Sequence, residues 1–152
     1  MPTTTQSKPG LEALYRPLWL TYGLVPLLAG LDKFLNLLTD WPKYLSPVMA
    51  GLLPVSAQTF MHAVGIIEIA VGLLVLTRWT RLGAWIAAAW LVLIAVNLGT
   101  MGLFDIAVRD LAMAVGAYTL ARLAELRQDV PAAAFQSAGE PGVDWTVRAS
   151  HR

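Results

Sequence analysis

Eight side chains in a largely apolar chain could carry chemistry: Asp32, Lys33, His62, Glu68, Asn97, Asp105, Arg109 and Asp110. A carboxyl group beside a lysine can switch charge state when desolvation and pairing nearly balance. Glu68 is the titrating group such a scheme would use. Lys33, His62, Asn97 and Arg109 are donors suited to the carbonyl oxygens of a quinone lying in an apolar slot. The same charges could instead pair to hold helices together, because buried charges are usually paired whatever the function. Structural pairing, a ligand or quinone-headgroup site, and a proton or ion path are the three readings these residues allow.

Other chemistries find no support. The chain has no cysteine, which removes disulfides, thiolate metal sites and a cysteine nucleophile. A b-type haem would need a second axial ligand for His62, and the other histidine, His151, lies far away near the C-terminus. A methionine ligand is conceivable in principle, but the five methionines read better as core packing. No histidine-rich or carboxylate-rich metal set, no Ser–His–Asp arrangement and no glycine-rich phosphate loop stands out. The sequence thus nominates no catalytic residue and no metal site.

These residues must be positioned by membrane helices. Of the 152 residues, 57% are hydrophobic and 14% charged, against about 45–50% and about 25% in soluble domains. Mean hydropathy is +0.59. A net charge of +1 leaves no nucleic-acid footprint. The expectation is one all-α domain: an integral membrane four-helix bundle. Its spans are placed at about 18–38, 58–77, 82–98 and 105–124. The third is the purest, LGAWIAAAWLVLIAVNL, without a charge and with Asn97 as its strongly polar side chain. Pro26 interrupts the first span, which membrane helices tolerate. The fourth is the weakest, because Arg109, Asp110 and Arg122 lie within it.

Basic residues set the orientation. Lys8 and Arg16 precede the first span, Arg78 and Arg81 lie between the second and third, and Arg122, Arg127, Arg148 and Arg152 gather at the C-terminal end. The opposite side has Lys33, Lys43 and Arg109. By the positive-inside rule both termini of a multi-pass membrane protein are expected to be cytoplasmic. The transmembrane domain covers 15–125. Residues 1–14 are expected to be a flexible N-terminus without the pattern of a signal peptide, and 126–152 a flexible cytoplasmic tail.

In this topology the eight polar residues all fall in the outer half or near the midplane, at a rise of about 1.5 Å per residue. Gly65, Glu68 and Gly72 share a helix face, and so do Gly23, Gly30 and Lys33. Small residues allow close helix contact, so Glu68 and Lys33 are expected to point to a helix partner. Ala87, Trp90, Ile94 and Asn97 share a face of the third helix, with Trp90 read as packing. Asp105 and Arg109 can pair locally. Lys33, Glu68 and Arg109 are expected to meet inside the bundle. Asp32 and Asp105 are secondary polar residues of this centre. The connection TDWPKYLSPVMAGLLPVSA is punctuated by Pro42, Pro47 and Pro54 and carries Val48, Met49, Leu52 and Leu53. It predicts a short interfacial helix between helices 1 and 2, an anchor or a lid over the polar centre.

GLVPLLAGLDKF, with Gly30 and Lys33 near the outer end of the first helix, resembles the glycine–lysine signature of the DoxX family. IEIAVGLLVL around Glu68 and AVRDLAMAVGAYTLARL around Arg109 and Asp110 are similar to the second and fourth helices of that family. The resemblance spans roughly residues 15–125. It implies a small four-helix bacterial or archaeal membrane protein, quinone-linked, serving as an accessory or anchoring subunit of a membrane redox complex. The partners implied are the lipid bilayer and membrane oxidoreductase subunits. A small proton-coupled transporter, which four short helices would build only as an oligomer, and a lipid-phase ligand-binding protein or enzyme are the competing expectations.

Overall fold

The computed structural model describes residues 7–128, and these are helical with no strand. Four long helices are α1 (Ser7–Leu35), α3 (Ala57–Leu76), α4 (Thr80–Thr100) and α5 (Phe104–Gln128); a 3-10 turn (Trp41–Tyr44) and the short α2 (Pro47–Leu52) lie between the first two. Among the described residues three helices, α1, α3 and α4, are long and apolar enough to cross a membrane. The helix α5 is long but carries more charge, as the weak fourth span foreshadows.

Helix ends follow from local chemistry. Asn36 takes a left-handed conformation (φ 51°) just after α1, and its N–H donates to the Asp32 carbonyl. Ser46 caps α2 by accepting from Met49 N–H, with Pro47 at the first helical position. Ser56 caps α3 in the same way, accepting from Thr59 N–H. After α4, Gly102 has φ +74°. Leu103 N–H donates to Leu98 O and Gly102 N–H to Gly99 O, both at 3.1 Å, the double closure of a Schellman turn.

The helices pack chiefly as two pairs, α1 on α3 and α4 on α5. Between the pairs lies a core rich in alanine and glycine. Ala84, Ala117 and Ala121 are fully buried, with Tyr15, Tyr22, Val75 and Leu120 filling the larger spaces. Tyr22 reaches from α1 to donate to Met113 O at 2.6 Å. It fits because a Cβ on Gly116 would lie 2.1 Å from its hydroxyl oxygen. The connections 36–56 and 101–103 form one end, here the upper end. The α3–α4 turn lies at the lower end, with the start of α1 and the end of α5.

Three boundaries differ from the sequence reading. The α1 helix starts at Ser7, inside the stretch expected to be a flexible N-terminus, and stops at Leu35 instead of 38. The Asn36 turn and the Asp32 carboxylate beneath it end the helix early. The α5 helix runs on to Gln128, past the expected start of the tail at 126, and in this last turn Arg127 pairs with Glu12 of α1. The remainder of the expected tail, with His151, lies outside the described residues. A short helix is present in the expected connection as α2, with Val48 and Leu52 strongly exposed.

Candidate functional site

The site begins with an absence of side chains. At Gly30 a Cβ would sit 2.6 Å from Gly65 O, and at Gly65 a Cβ would sit 2.7 Å from Gly30 O. Lower down, a Cβ on Gly72 would lie 2.6 Å from Gly23 O. No ordinary side chain tolerates such distances, so α1 and α3 touch backbone to backbone along both glycine stripes. Lys33 and Glu68 lie on these stripes and are drawn into the same seam.

There Lys33 Nζ and Glu68 Oε2 are 2.5 Å apart, with side-chain exposures of 3% and 10%. Two charges so far from water require one another, because each alone would carry the full desolvation penalty. The indole of Trp41 lies over the ammonium group, 3.6 Å from nitrogen to ring centroid, close enough for a cation–π contact. Trp41 Nε1 donates to Asp32 Oδ2 at 2.8 Å. Asp32 also accepts from the N–H groups of Leu37 and Leu38. Its role is therefore to fasten the chain leaving α1 and hold Trp41 over Lys33.

At the margin His62 stacks on Phe34, ring centroids 4.9 Å apart, and pairs with Gln58 at 2.8 Å. Trp90 approaches Glu68 from α4. Its Nε1 is buried yet has no hydrogen-bond partner of ordinary geometry among the described residues.

The other expected members are placed elsewhere. Asn97 receives Ser46 N–H on its Oδ1 at 3.1 Å and donates through Nδ2 to Tyr44 O at 2.7 Å. It ties the connecting segment to α4. Arg109 and Asp105 are exposed and form no ion pair with each other or with other described residues. The expected meeting of Arg109 with Lys33 and Glu68 is therefore corrected. The buried stripe of α5 runs through Ala107, Asp110, Ala114, Ala117 and Ala121, which turns position 109 outward. Asp110 is buried on that stripe but does not join the Lys33–Glu68 pair. Sequence reasoning read Trp90 as packing and gave Trp41 no part in the polar centre. The signal for Trp41 was its place in a proline turn shortly after the helix-ending Asn36.

The geometry can neutralise charge at a helix seam, hold a cover over a cation, and offer one buried N–H donor beside a carboxylate. No family model matches the chain, and no curated protein or solved structure matches it either.

Proposed function

We propose that the chain is a DoxX-like integral membrane protein, a four-helix bundle in a bacterial or archaeal plasma membrane with both termini cytoplasmic, acting as an accessory or anchoring subunit of a quinone-linked redox complex. The observation that carries this reading is the closed state of the buried charges: Lys33 is held by Glu68 and Trp41, and Asp32 by three N–H groups. Groups already engaged with one another suit a scaffold better than a turnover site. The broad apolar exposure of Leu24, Leu28 and Leu31 on α1, and of Val92, Leu93 and Val96 on α4, suits lipid or neighbouring membrane subunits.

Affinity purification from native membranes in mild detergent tests it. Co-purification of oxidoreductase subunits is the expected result. Recovery of the chain alone, from cells that express those neighbours, counts against it.

A second reading is favoured by Trp90. Its buried N–H faces Glu68 without a hydrogen bond of ordinary geometry, and such a donor suits the carbonyl of a lipid-phase ligand such as a quinone. Under that reading Trp90→Phe abolishes quinone retention by the purified protein while leaving its thermal stability close to wild type. Unchanged retention would remove Trp90 from the role.

A further inference from the structure

At the lower end a groove is lined by Arg78, Trp79, Arg81, Leu82 and Trp85, and Arg78 also borders the neighbouring cleft beside Tyr15 and Arg127. We propose that this groove binds the headgroup of an anionic phospholipid. The inference rests on the membrane reading above and adds a specific ligand class at a site away from the Lys33–Glu68 pair.

Charge is the first argument. Five arginines of the described chain gather here, Arg16, Arg78, Arg81, Arg122 and Arg127, against two glutamates, Glu12 and Glu125. Glu125 is shared: it forms an ion pair with Arg81 at 3.1 Å and accepts from Arg122 and from Trp85 Nε1, the latter at 3.3 Å. Glu12 is likewise shared by Arg16 and Arg127. Arg78 has no carboxylate partner among the described residues. A positive surplus therefore lies in the groove itself, and a phosphate diester matches guanidinium groups in charge and geometry.

Placement is the second argument. The turn that carries Arg78 is fixed: Thr80 Oγ1 donates to Val75 O and Thr77 O, each at 2.8 Å, and Thr77 Oγ1 donates to Leu74 O at 2.9 Å. Trp79 and Trp85 are 53% and 40% exposed, and such indoles favour the level of the lipid headgroups. From Leu82 an exposed apolar stripe climbs α4 through Ile86, Leu93 and Val96. A lipid seated with its phosphate at Arg78 and Arg81 has a continuous apolar track for its acyl chain. A free phosphate ion would leave Trp79, Leu82 and Trp85 without a partner.

The full chain reconstituted into phosphatidylcholine vesicles provides the test, read by quenching of tryptophan fluorescence with brominated lipids. Dibrominated phosphatidylglycerol should quench more than dibrominated phosphatidylcholine at equal mole fraction. Arg78→Gln should lower the preference about fivefold, in line with one basic residue near an anionic surface. Lys43→Gln at the upper end should leave it unchanged. Equal quenching by both lipids in a chain that floats with the vesicles overturns this proposal alone, as does an unaltered preference in Arg78→Gln. A chain that fails to float overturns the membrane reading with it. Loss of the preference on adding millimolar inorganic phosphate at constant ionic strength also overturns it, by showing that the groove takes the free ion.

Discussion

The two ends of the molecule handle charge in opposite ways. Towards the upper end Lys33, in the last turn of α1, and Glu68, near the middle of α3, are buried and paired one to one, with Trp41 closing over the cation. At the lower end Arg81, Arg122 and Arg16 are 56%, 57% and 77% exposed, and they share carboxylates with other arginines. Water and salt screen the second set, so each contact there contributes about 0–1 kcal/mol. The first set has no such screen. Its pair is worth little more than an apolar replacement, yet losing one partner is expensive because the survivor stays buried. The same residue types thus act as a structural lock in one place and as a surface charge in the other. Backbone contact between glycines makes the difference, since it brings two helices close enough to exclude water.

The sharpest way to break this comparison is to remove one buried charge. Glu68→Gln or Lys33→Met should each destabilise the protein by about 3–5 kcal/mol, read as thermal unfolding in detergent. The double variant should lose clearly less than the sum, and strictly additive losses would show that the two side chains are not coupled.

Gly65→Ala should cost about 1–3 kcal/mol by overpacking, since the added methyl group would lie 2.7 Å from Gly30 O and 3.1 Å from Lys33 Cβ. It should also make the subsequent loss of Glu68 less damaging, as the opened seam admits water. A Gly65→Ala protein as stable as the parent would deny the role given to the close contact.

Trp41→Leu removes the cation–π contact and the hydrogen bond to Asp32. A loss of about 1–2 kcal/mol is expected. Amide exchange should rise at Leu37 and Leu38, whose N–H groups Asp32 holds. Protection unchanged at those amides would show that Trp41 does not brace the turn.

The smallest effect belongs to the lower end. Arg122→Gln should change stability by about 0–1 kcal/mol, and 1 M salt should erase even that difference. The effect of Glu68→Gln should persist in the same salt. Equal salt sensitivity at both ends would erase the contrast between them.

The sequence by itself determined the all-helical character, the three strongly apolar helices and the asymmetry of basic residues, because these depend on composition and period. It also determined that Gly30 and Lys33, and Gly65 and Glu68, share faces, since a helix of 3.6 residues per turn leaves no other arrangement. The partners of those faces were a tertiary matter. Depth along the helix axis made Arg109 as plausible a neighbour of Glu68 as Lys33 was. The packing of α5 chiefly on α4 then turned Arg109 away, and rotation about a helix axis is not encoded by depth. Asn97 lay at the right level too, but it was claimed by the backbone of Tyr44 and Ser46, which only the folded connection brings within reach. Trp41 reaches Lys33 because Asn36 reverses the chain and Asp32 fastens it. That contact depends on the path of the loop, which the hydrogen bonds of Leu37, Leu38 and Trp41 to Asp32 shape and which neither composition nor helical period specifies.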